Sequence, residues 1–203
     1  MGGLRVPYVL AFSGELVSTP VRFCAVKPGG GLRLSYPIPQ KGDWSYGVLR
    51  ARAARHRRGE VLWRKVNPVR QWNCMRAIWC QVCGRDARDP DSGRMSWIIT
   101  PTAFRPVAWL PEAGDTNQPA TCQGCVPEAL EMCPRLGVGA RVVSVGEAEP
   151  VAVLADVFQP GRGGAAILSR HNVYVGLDEF ALHPRVLATQ LVVRLHDIRE
   201  AAL

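Results

Sequence analysis

Nowhere do apolar residues run unbroken for the ~20 positions that a membrane-spanning helix requires, so the sequence names no membrane partner. The apolar run at 6–12 stops at Ser13, Gly14 and Glu15, and no basic segment leads into it, so no secretory leader is legible. The expectation is a cytoplasmic protein. A P-loop is missing too. The glycine-rich stretches at 29–31 and 161–164 lack its Gly-Lys-Ser/Thr ending, and neither carries a dinucleotide fingerprint. Both read as hairpin turns. Histidine is scarce, with four in 203 residues and none between Cys80 and Cys133. Acids are outnumbered, 17 against 25 Lys and Arg, which leaves a net charge of +8 and makes phosphate-bearing ligands the default partners.

What is present suits one compact core. An apolar fraction of 47% with 21% charged residues is ordinary for a globular protein of this length. Seven cysteines are many, but the count is odd, no export signal accompanies them, and four fall in two Cys-x-x-Cys pairs. In a reducing compartment that spacing reads as metal binding before cross-linking.

The first third reads as β structure. Runs at 8–12 and 21–26 are rich in β-branched and aromatic residues, and a Lys-Pro-Gly-Gly-Gly turn leads into the alternating run 32–36. Residues 49–70 then carry eight cations, Arg50, Arg52, Arg55, Arg57, Arg58, Arg64, Lys65 and Arg70, against Glu60 alone. A strand starts at Val61, Pro68 breaks the chain, and residues 71–79 form a helical turn or two. Later strands are expected at 141–145, 151–154 and 166–175. Pro184 opens a closing amphipathic helix, in which Leu187, Leu191, Leu195 and Ile198 recur every three or four residues.

The metal motif lies between. Cys80-Gln81-Val82-Cys83-Gly84 is a knuckle whose glycine tolerates the positive φ of a tight turn around a metal. Cys122-Gln123-Gly124-Cys125 precedes a short helix, with Pro127 and Glu128 in its first turn and Pro134 at its end. Between the pairs, residues 94–100 and 103–110 read as the two strands of a hairpin. Four thiolates satisfy tetrahedral zinc and leave no open position, so the expected cofactor is one structural Zn²⁺. A rubredoxin-type iron site is the chief rival, although Val126, not Gly, follows the second pair. The helix N-terminus should lower the Cys125 pKa, and Arg85 and Arg88 are placed to offset the −2 charge of the filled site. Cys133, two helical turns beyond Cys125, falls either near the metal or in the core with Cys24; Cys74 has no assignment.

The order of knuckle, hairpin and cysteine pair at a helix start resembles the treble-clef zinc fingers over roughly residues 78–135. That family also hosts HNH nucleases, whose general base is a histidine on the first hairpin strand. The absence of histidine there argues against such an activity, and the His-x-Glu of the zinc deaminases is absent as well.

The sequence therefore predicts an α+β protein. A β-rich part at 1–77 and a part with strands and a terminal helix at 136–203 flank a four-cysteine zinc-binding unit at 78–135, all within one compact domain. Its leading function is that of a zinc-stabilised binding or regulatory protein, with Arg50, Arg52, Arg55, Arg57, Arg58, Arg64 and Lys65 facing nucleic acid and Trp63 and Trp72 interleaved. Two alternatives belong to other classes. One is a small metabolic or tailoring enzyme with acid–base groups among His171, Asp178, Glu179 and His183. The other is an adaptor whose zinc unit binds another protein.

Overall fold

Short β-branched and aromatic runs separated by Gly and Pro recur along this chain, and strands outweigh helices in it. The computed structural model describes residues 5–17, 19–26, 30–133, 136 and 139–201. Residues 27–29 of the first expected turn, and Pro134, lie outside them. Strands β1 (Leu10–Phe12), β2 (Arg22–Ala25), β3 (Leu32–Ser35), β4 (Trp44–Ser45), β5 (Val48–Arg50) and β6 (Val61–Val66) precede helix α1 (Pro68–Ala77). Strands β7 (Met95–Ile99), β8 (Phe104–Val107) and β9 (Leu110–Thr116) lead to the short helix α2 (Val126–Met132). Three long strands close the chain, β10 (Arg141–Pro160), β11 (Ala166–Gly176) and β12 (Val186–Glu200).

β10 and β12 pair antiparallel over nearly their whole length and form the spine of an eight-stranded sheet. Their outer neighbours change midway. Toward one end β10 pairs with β7, and β12 with β9, which forms a hairpin with β8. Toward the other end β10 pairs with β11, and β12 runs parallel to β5, which turns back into β4. Pro150, which has no N–H to donate, falls where β7 has ended and β11 has not begun. Tyr46 and Gly47 join β4 to β5 with φ of 52° and 81°, the left-handed pair that a two-residue type I′ turn requires. The expected hairpin of β2 and β3 forms as a separate two-stranded sheet, and β1 with β6 makes another.

Several expectations are overturned. The protein is not α+β: strands account for 46% and helix for 15%. The closing amphipathic helix is strand β12. Its side chains alternate, with Val186 and Ala188 buried and then Leu191, Val193 and Leu195, but the two sets differ in phase. The cause is a bulge. Leu154 pairs with Gln190 and Ala155 with Ala188, so Thr189 is left over, its hydroxyl bonded to the Leu154 carbonyl at 3.0 Å. Leu191 and Leu195, four apart, fit one face of a strand as well as of a helix, while Leu187, before the bulge, packs in a separate cluster with Leu34 and Leu49, so the apparent stripe is not one face. The hairpin between the cysteine pairs also moves one strand along. β7 pairs with β10, where its buried residues meet a second buried partner, and β8 pairs with β9 instead. Pro68 does not break the chain; it occupies the first turn of α1, where its missing N–H costs nothing. Asn67 caps that helix by accepting from the Val69 and Arg70 amides.

The main core lies between the sheet and α1. It joins Trp72, Met75 and Ile78 of the helix region, Cys80 and Cys125, Trp97, and sheet residues such as Val143, Val153 and Leu191. Gln71, fully buried on α1, donates to the carbonyls of Asn117 and Leu191 and accepts from the Leu191 amide. A buried ion pair ties the N-terminal segment to this helix. The Glu15 carboxylate, 1% exposed, accepts both ends of the Arg70 guanidinium at 2.6 Å. It also takes the Phe12 and Arg57 amides and the Asn67 side chain. Burial alone would raise the Glu15 pKa, but the Arg70 bond and these N–H donors outweigh it and hold the group at about 2.

Breaking a buried pair strands the remaining charge, so Glu15→Ala should cost about 3–5 kcal/mol in urea unfolding. In the wild type the depressed pKa gives stability that is complete above the unfolded value of 4.5 and lost as pH falls from there toward about 2. The loss should be about 3 kcal/mol, and Glu15→Ala should lack it. Parallel pH profiles for the two proteins would show that the pair contributes nothing.

Candidate metal centre

α1 ends at Ile78, whose left-handed conformation (φ 56°, ψ 47°) turns the chain sharply into the first cysteine pair. Cys80 donates its amide to the Arg85 carbonyl at 2.7 Å, and Gly84 donates to the Cys80 carbonyl at 2.8 Å, closing a tight knuckle. Gly84 has φ of 73°, as the sequence predicts, and a Cβ there would come within 2.9 Å of the Tyr8 ring. The Val82 amide points at the Cys80 sulfur, 3.4 Å away. Cys122 leads a short 3-10 turn, Gln123–Cys125, that runs directly into α2 with Pro127 in its first turn. Gln81 stitches the two halves together. Its amide donates to the Ala120 carbonyl at 2.8 Å, and its side chain donates to the Thr121 hydroxyl at 3.0 Å.

This framework brings the sulfurs of Cys80, Cys83, Cys122 and Cys125 within 4.8 Å of one another. Bonds of about 2.3 Å to a tetrahedral metal imply sulfur–sulfur edges of about 3.8 Å. The Cys83 and Cys122 sulfurs are 3.8 Å apart. That is far beyond a disulfide, and all seven cysteines are free thiols. Four convergent soft donors can hold a metal ion, and no other group of three or more His, Cys, Asp or Glu among the described residues is close enough to do so.

The charge environment differs from expectation. Burial and the neighbouring thiols push Cys125 up, not down, and burial raises Cys122 to about 11. Burial would also raise Cys83, but the Arg85 amide and the adjacent sulfurs bring it below its ordinary value. Crowded thiols resist ionisation without a cation, and a bound metal ion removes that penalty. Arg88 does not serve the site, because it pairs with Asp86. Arg5 does. Its guanidinium lies 3.7 Å from the Cys125 sulfur and 3.4 Å from Glu128. Nothing in the sequence near either pair signals that role. Around it, Tyr8 and Val9 donate to the Val82 and Gln81 carbonyls, so the N-terminal segment lies across the knuckle. Cys133 caps the end of α2 outside the four-sulfur group. Cys74 is buried beside it, its thiol raised to about 12 by burial first and then by Cys80.

The other candidates are dispersed. His171 is exposed and meets Asp156 at 2.7 Å. His183 is buried on a different element, with Nε2 3.3 Å from the Gly176 carbonyl and its ring edge-on to Phe180. Glu179 accepts the Gly176 amide and Asp178 lies alongside, so His171 is not brought to the other three. The basic run divides as well. Arg50 stacks on Trp72, Arg52 clamps Asp43 and covers Tyr36, and Arg57 lies over Phe12 and donates to the Val6 carbonyl. Arg55, Arg58, Arg64 and Lys65 are exposed and make no ion pair among the described residues.

Comparison with protein-family models, with curated proteins and with solved structures finds no match in any of the three. None of the described helices is long and apolar enough to cross a membrane.

Cys83→Ser and Cys122→Ser should each lose tight metal binding and loosen residues 78–86 and 120–132, read by metal content and amide exchange. Retention of one metal ion per chain in both variants would remove these thiols from the site.

Proposed function

We propose that this is a cytoplasmic, zinc-stabilised binding protein whose cysteine centre is of the treble-clef kind and whose basic ribbon engages nucleic acid. Zinc suits the four-thiolate set, and with no open ligand position its role is structural. The treble-clef reading rests on the order of parts: a knuckle at 80–84, the β8–β9 hairpin, and a second pair at the start of α2. Seven free thiols suit a reducing compartment.

The nucleic-acid reading is carried by one observation. Four cations of the basic run make no ion pair among the described residues: Arg55 and Arg58 lie on the segment leading into β6, and Arg64 and Lys65 on β6 itself, with Glu60 the lone acid among them. Phosphates spaced along a strand are the natural counterpart of such a row. No comparable support favours an enzyme, since His171 and His183 have separate partners. The adaptor reading is weaker too, because the most exposed apolar side chains, Ile38, Trp109 and Phe180, stand on separate turns.

Metal analysis joined to a salt-titrated binding assay on DNA and RNA tests both halves. One zinc per chain is expected, with affinity that falls steeply as salt rises. Changing Arg55, Arg58, Arg64 and Lys65 together to Gln should preserve the fold and flatten the log–log salt slope on duplex DNA by about 3 to 4. An unaltered slope would take the ribbon out of the interface.

A further inference from the structure

β1 and β6 do not pair continuously. Leu10 faces Val66 but Ala11 faces Leu62, so Trp63, Arg64 and Lys65 form a bulge with no partner across the ladder. All three are exposed, and Trp63 is 53% open to water. Trp72 and Trp97, by contrast, are 1% and 0% exposed inside the main core, and Trp63 belongs to none of the hydrophobic clusters. Half an indole left in water forfeits transfer free energy that full burial would supply.

The base under this bulge is firmly held. The Asn67 amide donates to Val9 on one side, and the Ser13 amide donates to Glu60 on the other, at 2.9 and 2.8 Å. The Glu60 amide returns a bond to the Ser13 hydroxyl. Arg70, fixed by Glu15, donates to the Leu10 carbonyl directly beneath. An exposed aromatic face followed directly by two exposed cations is thus presented on a hydrogen-bonded ribbon.

We propose that Trp63 is a stacking platform for an unpaired base and that Arg64 and Lys65 hold the flanking phosphates, so that the ligand is single-stranded nucleic acid. This rests on the nucleic-acid reading above and narrows it. Every base offers a π-face to an indole, but only when it is not already stacked within a duplex. A duplex can use the cations alone. The bulge supplies both contacts within three consecutive residues, which matches the close succession of base and phosphate along one strand.

The test compares wild-type protein with Trp63→Ala, Trp63→Phe and the Arg64→Gln/Lys65→Gln double variant. Each is titrated with a thymidine homopolymer and with a mixed-sequence duplex over a range of salt, with folding checked by circular dichroism. Trp63→Ala should bind the single strand about tenfold more weakly, with duplex binding and salt slope unchanged. Trp63→Phe should recover part of that loss. The double variant should lower the single-strand salt slope by about 1.4, at roughly 0.7 per phosphate contact. If Trp63→Ala binds the single strand as tightly as wild type, the stacking proposal is wrong while the basic ribbon stands. Failure of wild-type protein to bind either form overturns the nucleic-acid reading, and this inference with it.

Discussion

Four sulfurs within 4.8 Å of one another cannot all be thiolates unless a cation lies among them, and the middle of the chain is built around that constraint. The knuckle at 80–84 has few apolar contacts of its own beyond Cys80 and Val82, and α2 has seven residues, too few to persist alone. What joins them is the sulfur cluster and the Gln81 bonds to Ala120 and Thr121. Because Cys80 and Cys125 also belong to the main core, the cluster and the sheet support each other.

A second constraint shapes the surface. Arginine is plentiful, yet much of it is occupied inside the molecule. Arg70 neutralises Glu15, Arg52 neutralises Asp43, and Arg33, Arg50 and Arg57 lie over aromatic rings. Planar guanidinium groups suit this use because they stack and bond at once. The two ion pairs already cancel within the formal charge of +8, and of the charge that remains, Arg33, Arg50 and Arg57 are engaged by rings.

Legibility follows the range of the interactions. The cysteine motif can be read because ligand spacing and the glycine after Cys83 are local demands of the turn. The β2–β3 hairpin is legible for the same reason, with alternation and turn residues within fifteen positions. β12 reads as a helix because leucines four apart satisfy either period, and the pairing with β10 that decides between them is not written in β12 itself. Arg5 is beyond such reading altogether, since its sulfur partner lies 120 residues away. The basic run is half legible. Its composition is plain, but Asp43, Tyr36, Trp72 and Glu15, which claim its members, lie outside it or across the fold from the residues they hold.

Gln71 has one more consequence. On the side of β12 away from β10, β5 covers Leu187 and Ala188 and β9 covers residues 193–195. Between them the backbone at Leu191 has no strand beside it, and the Gln71 amide fills the gap by giving to and taking from that one residue. A side chain on a helix thus acts as a single rung of ladder. Gln71 and Leu191 are both fully buried, so without that rung two backbone groups in the middle of the core would have no water to turn to.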